Sequence, residues 1–146
     1  MLKRSLIVLL VSVVFSIAAW ADAQTDADLS KRTTAEVFMD HLQCRLEGDI
    51  EKDIRRNYSP EVEFVTNYGN FKGHDGVRKS AAILKKLVPS RNYRMDSLLF
   101  RGDVAFEEWS VKEDTFEVNN GIDAFVIKDG KILVQTIHYV VTDVKK

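Results

Sequence analysis

One cysteine, two prolines and no long apolar run beyond the N-terminus set the first limits on this chain of 146 residues. Cys44 stands alone, so an internal disulfide is excluded, and a structural zinc site would need more soft ligands than one thiol. It reads as a small packing residue on a helix. Pro60 and Pro89 both fall where a helical pattern stops, and there is no low-complexity tract, internal repeat or interdomain linker. The three histidines show no short metal-ligand spacing and no accompanying carboxylate cluster, so neither a metal nor another cofactor is expected. Glycine-rich phosphate loops and nucleophile elbows are also missing. Charge of one sign is not in excess: 21 Lys and Arg stand against 22 Asp and Glu, interspersed and without a basic stripe. That argues against a nucleic-acid partner, because phosphate contacts demand clustered cations.

What the chain does have begins with an address. Met1-Leu2-Lys3-Arg4 is a short basic region, and Leu6 to Ala19 is an uncharged apolar run. Ala19-Trp20-Ala21 then supplies the small-x-small pattern of a signal-peptidase site, with Ala21-Asp22-Ala23 as a second position. The run is shorter than the ~20 residues that span a bilayer. Residues 1–21 are therefore expected to be a cleaved signal peptide, and the protein to be exported, either periplasmic or secreted, with no membrane partner after cleavage. An uncleaved anchor is the competing reading. The remaining 125 residues suit one core and are too few for two domains.

Residues 22–32 are polar and aperiodic and read as a flexible lead-in to a domain at 33–142. Thr33 and Glu36 have the spacing of a capping box. The helix that follows runs to about Glu47, with Ala35, Phe38, Met39, Leu42 and Leu46 as its expected buried seam and Val37, His41 and Cys44 as a weaker stripe. Gly48 stops it, Asp49 caps a second helix carrying Ile50, Ile54 and Tyr58, and Ser59-Pro60 ends that one. Val62 to Thr66 is a short strand, Tyr68-Gly69-Asn70 a turn, and Gly73-His74-Asp75-Gly76 opens a third helix that ends at Pro89. From Asn92 the pattern becomes a meander of about four strands, with two-residue turns at Gly102-Asp103 and Asp129-Gly130. The layout is α+β, with three helices on one face of a curved antiparallel sheet.

Three segments resemble one family in the right order. They are Leu46 to Ile50 with Tyr58 to Phe64, then Phe71 to Arg78, then Gly121 to Ile132. Together they resemble SnoaL-like domains of the NTF2-like superfamily over about residues 33–141. The resemblance implies a cone-shaped domain with a deep apolar pocket between helices and sheet, and often a homodimer formed through the sheet. Superfamily members include cyclases, isomerases and dehydratases as well as domains that only bind or dimerise, so fold analogy does not choose among them.

The turns place candidate site residues. Counting outward from Asp129-Gly130, Lys128 pairs with Lys131, Phe125 with Val134, Asp123 with Thr136, and Gly121 with His138. Asp123, Phe125, Ile127, Ile132, Val134, Thr136 and His138 then share one face, and Asp123 and His138 become diagonal neighbours. An Asp that orients an imidazole is a general-base arrangement, so Asp123 and His138 are the catalytic candidates. A satisfied polar pair is the plainer alternative. Counting from Gly102-Asp103 puts Asp96, Leu98, Phe100, Ala105, Glu107 and Trp109 on one face. Tyr58, Phe64 and Tyr68 lie where the family lines its pocket mouth. The expected ligand-lining set is therefore Tyr58, Phe64, Tyr68, Glu107, Trp109, Phe125, Val134 and Thr136, around a small, largely apolar molecule. A non-catalytic dimeric module is the alternative function.

Overall fold

The computed structural model describes residues 29–144; the segment expected to be a signal peptide, residues 1–21, and residues 22–28 of the lead-in lie outside the described residues. Helices α1 (Thr34–Glu47) and α2 (Ile50–Asn57) lead into strands β1 (Tyr58–Thr66) and β2 (Gly69–Lys72), helix α3 (Gly73–Leu87) comes next, and five further strands follow: β3 (Tyr93–Arg101), β4 (Val104–Lys112), β5 (Phe116–Lys128), β6 (Lys131–His138) and β7 (Thr142–Asp143). Among the described residues no helix is long and apolar enough to cross a membrane.

Local chemistry starts and stops each helix. Thr33 and Glu36 form both halves of the capping box, and Gly48 closes α1 in the left-handed region at φ 76°. The buried stripe of α1 is not the expected one. Val37, Phe38, His41 and Cys44 face inward, while Met39 and Leu46 are 53% and 69% exposed. Polar partners decide the rotation: His41 meets the buried Asp53 of α2 and Asp40 meets Arg56, contacts that apolar spacing does not count. Helix α2 ends before Ser59-Pro60. Tyr58 already belongs to β1, and Pro60 sits in the strand where its register with β6 is irregular and a ladder N–H is not needed.

The strands form one sheet in the order β2-β1-β6-β5-β4-β3, with β7 beside β5. Every pair is antiparallel except β1 and β6, which run parallel. The expected all-antiparallel sheet is thus a mixed one. No hairpin joins β1 to β6, and the long connection between them leaves either direction open. The two expected hairpins are present, and Asp129 and Gly130 both take the positive φ, 50° and 71°, that a type I′ turn requires.

One irregularity reorganises the inner face. Lys128 pairs with Lys131 and Ile127 with Ile132 as counted, but the next pair is Val126 with Val134. Leu133 is an extra residue, a β-bulge, and beyond it every pairing slips by one. Phe125 lies opposite Gln135, Asp123 opposite Ile137, and Ile122 opposite His138. A slip of one residue reverses which side chains face the helices. Gln135 and Ile137 are therefore buried, whereas Thr136 and His138 are exposed. A second irregularity at Asp96 in β3 removes that residue from the row assigned to it.

The core lies between the inner sheet face and the helices, and Phe38, Ile54, Val62, Phe125, Ile127 and Ile132 are sealed from solvent there. The end of the lead-in is part of this structure. Leu29–Lys31 form a 3-10 turn, and Leu29 is buried. The Arg32 guanidinium donates to the side chains of Asp40 and Asn57 and to the carbonyls of Arg56 and Gly130. Gly130 has to be glycine on a second count, because a Cβ there would lie 1.8 Å from the Leu29 carbonyl oxygen.

Candidate functional site

The register lines up one row across the inner face: Leu98 on β3, Glu107 on β4, Asp123 on β5 and Ile137 on β6. Two acidic residues are thus direct cross-strand partners, with Cβ atoms at the ~5 Å typical of such pairs. Like charges so placed repel, and both side chains are buried.

Their surroundings differ. Asp123 accepts one hydrogen bond on each oxygen, from Trp109 Nε1 at 3.0 Å and from Gln135 Nε2 at 2.8 Å. The Tyr58 hydroxyl donates to Gln135 Oε1 at 2.7 Å and so fixes which end of the amide faces Asp123. Glu107 is 8% exposed and its carboxyl has no hydrogen-bond partner among the described residues. Burial, reinforced by the Asp123 charge and opposed by Arg45, pushes Glu107 up to about 8. Burial also raises Asp123, although the bonds from Trp109 and Gln135 pull the other way. The pair therefore shares its charge unequally. Donors at both oxygens favour the anion on Asp123, and their absence leaves the proton on Glu107.

Trp109 reaches Asp123 because its partner across the ladder is Gly121. A Cβ on residue 121 would fall 2.2 Å from the indole, so the ring lies flat over bare backbone. Tyr93 and Tyr139 each approach that indole at 5.5 Å between ring centroids, and Tyr68 stands 5.7 Å from Tyr139.

A second polar group lies behind Tyr58. His41 Nδ1 contacts both oxygens of Asp53, at 2.9 and 3.1 Å, and Asn57 Nδ2 donates to the same carboxylate. Asn57 in turn accepts from Arg32. Tyr58 OH and His41 Nδ1 are 3.5 Å apart, with the hydroxyl proton committed to Gln135, so the two networks touch without sharing a strong bond.

Of the ten residues picked from sequence, seven face inward: Tyr58, Phe64, Tyr68, Glu107, Trp109, Asp123 and Phe125. The other three do not join them. Thr136 and His138 line an open groove of about 250 Å³ on the opposite face, beside Val65 and Ile122. Val134, partly buried, belongs to the same outer row as Thr136 and His138. The Asp123–His138 pair is therefore corrected: the bulge at Leu133 puts Gln135 beside Asp123 and turns His138 away. Gln135, Tyr139 and Asp53 were missed. Inward parity would have exposed the first two once Leu133 was recognised as a bulge, while Asp53 and Asn57 carried an i, i+4 spacing on a helix otherwise read for its apolar edge. The Gly73–Arg78 motif is structural: Arg78 bridges Glu51 and Asp75, both at 2.8 Å. Among the described residues no group of three or more His, Cys, Asp or Glu side chains is placed to hold a metal.

Comparison with known proteins gives the fold its relatives. No curated protein matches the chain in sequence. An NTF2-like protein from Burkholderia pseudomallei has a similar structure, with TM-score 0.61 at 11% identity over 75% of this chain and 92% of that one. TerC, crystallised with polyporic acid, aligns with TM-score 0.55 at 19% identity over 71% of this chain and 88% of its own. A candidate SnoaL-like polyketide cyclase from Mesorhizobium loti aligns with TM-score 0.51 at 13% identity, covering 74% of this chain and all of that one. The model of the SnoaL-like domain matches residues 35–135, most of the chain, and the protein belongs to that family.

Proposed function

We propose that this SnoaL-like domain binds a small, largely apolar molecule inside its cone and moves protons on it with Asp123 and Glu107. The observation that carries this reading is the Glu107 carboxyl, without a hydrogen-bond partner among the described residues and in a residue only 8% exposed, directly across the ladder from Asp123. Two carboxyl groups with unequal surroundings are how one site offers an acid and a base at the same pH. Glu107, holding its proton near neutrality, is the acid; Asp123, the anion, is the base that takes a proton next to a ligand carbonyl. Isomerase, cyclase or dehydratase chemistry all use such steps. Family membership supports a ligand in the cone, and TerC was crystallised with polyporic acid. The chain is also proposed to be exported, its signal cut after Ala21 or Ala23, and to pair with a second copy through the outer sheet face. A non-catalytic dimeric module is the second reading, favoured by the exposed apolar side chains Leu99, Val104 and Val126 on that face.

Carbon-13 NMR of the side-chain carboxyls tests the acid–base reading. Glu107 should titrate near 8 in the wild type and move down in Asp123→Asn, which removes the neighbouring charge. A Glu107 that titrates like an exposed glutamate in both proteins sinks the acid role. Native mass spectrometry of the protein from its host's exported fraction tests the rest: the mature mass reports cleavage, and an added small mass reports the ligand.

A further inference from the structure

Arg45, in the last turn of α1, is partly buried, yet its guanidinium makes no hydrogen bond or ion pair among the described residues. Arg32, Arg56 and Arg78, by contrast, each hold a carboxylate oxygen at 2.8 or 2.9 Å. Helix geometry carries Arg45 over the carboxyl pair. Helix α1 starts beside the β3–β4 turn, where the Thr34 hydroxyl donates to the Gly102 carbonyl, and Phe38 then meets the rings of Phe100 and Phe125. Arg45 stands two turns farther along on the same side, roughly 10 Å beyond Phe38 at ~1.5 Å per residue. On the sheet below, the Glu107–Asp123 row lies two strand residues beyond Phe125, about 7 Å, and the Trp109–Gly121 row about 7 Å beyond that. A helical side chain leans toward the N-terminus of its helix, which brings the guanidinium back over the first of these rows. The charges agree with the placement: burial raises Glu107, Asp123, Tyr58, Tyr68 and Tyr93, and Arg45 opposes the rise at every one. Packing also loosens in that direction. Ala105 and Phe125 are 0% and 1% exposed, whereas Glu107, Trp109, Asp123 and Ile137 keep 6–8%, so space opens between the sheet and the end of α1.

We propose that Arg45 anchors a carboxylate of the bound molecule, whose apolar body then extends past Leu42, Leu98 and Trp109 toward Glu107 and Asp123. This inference rests on the preceding reading that the cone holds a small molecule, and it gives that molecule a charged end. A guanidinium offers paired N–H donors in the geometry that a carboxylate accepts. A single negative charge is the fit, because Glu107 feels one cation, Arg45, and the Asp123 anion already lies nearby. A doubly charged phosphate would go uncompensated there. Leu42, one turn before Arg45 on the same side, and Leu98, in the carboxyl row, are half-buried against the core, which suits a hydrocarbon body. The arrangement also orients the molecule: with its anion held at α1, its other end faces the acid and the base.

The test is titration of the full chain, near neutral pH, with octanoate and octanamide, which match in shape and differ in charge. Calorimetry should show wild type binding octanoate at least about tenfold more tightly than octanamide, about the worth of one charge-assisted hydrogen bond. Arg45→Gln should lose that preference while keeping its affinity for octanamide and a cooperative melting transition. In wild type the Arg45 Nε–Hε NMR signal should shift with octanoate far more than with octanamide. A preference that survives in Arg45→Gln, or an Arg45 signal that octanoate leaves in place, overturns the assignment. Equal binding of both compounds by wild type removes the anion anchor while leaving the cone as a binding site. Binding of neither overturns the anchor, and the added mass sought by native mass spectrometry then decides the cone reading separately.

Discussion

Glu107 keeps its proton far higher on the pH scale than an exposed glutamate does, and the energetic sign follows. Its folded value, about 8, lies above its unfolded value of 4.5. Below the lower value both states are protonated and no penalty exists. Between the two the unfolded chain releases the proton more readily, so stability falls as pH rises, and above 8 the full penalty of a buried anion beside Asp123 is present. Denaturant titrations from pH 5 to 9 should show wild type losing roughly 2–4 kcal/mol more than Glu107→Gln across that range. Parallel curves for the two proteins would mean that Glu107 is not held neutral by its surroundings. Asp123 has the same sign from the same cause, moderated by Trp109 and Gln135.

At the scale of elements, the strand that carries the site is governed by Leu133. Sequence turns located both hairpins, and alternation placed Glu107, Trp109, Asp123 and Phe125 inward, because those features are local. The capping box at Thr33 and the stop at Gly48 were legible for the same reason. A bulge leaves no comparable mark: Ile132-Leu133-Val134 is uniformly apolar, so nothing in it says which residue is surplus. Nor does apolar spacing tell a helix to present His41 when Leu46 is available, since the deciding partner, Asp53, lies on another element. Deleting Leu133 removes the bulge and leaves each pairing beyond it in place, with Gln135 and Ile137 still inward and Thr136 and His138 still outward. The expected outcome is a variant that keeps a cooperative thermal transition by circular dichroism. A deletion variant without a cooperative transition would contradict the assigned register.

The whole molecule has two unlike sheet faces. One packs against the helices and holds the carboxyl pair. The other carries Leu99, 62% exposed, with Val104 and Val126, and no described element covers them. If a second copy meets this face, light scattering should give a dimer for wild type, and Leu99→Lys with Val104→Lys should weaken it at least tenfold while leaving the melting transition intact. A wild-type monomer at high micromolar concentration would end the pairing idea without touching the cone.

Arg32 shows where this molecule mechanically begins. One guanidinium fastens the residues ahead of α1 to the end of α2 and to the tip of the β5–β6 hairpin, with Leu29 pressed onto Gly130 beneath it. It behaves as a rivet through three otherwise separate edges. If the proposed signal is cut after Ala21 or Ala23, both cuts fall upstream of the rivet and leave Leu29 and Arg32 in the mature chain. A trim nine residues past Ala23 would remove the rivet, together with the plate that Leu29 lays over the hairpin tip.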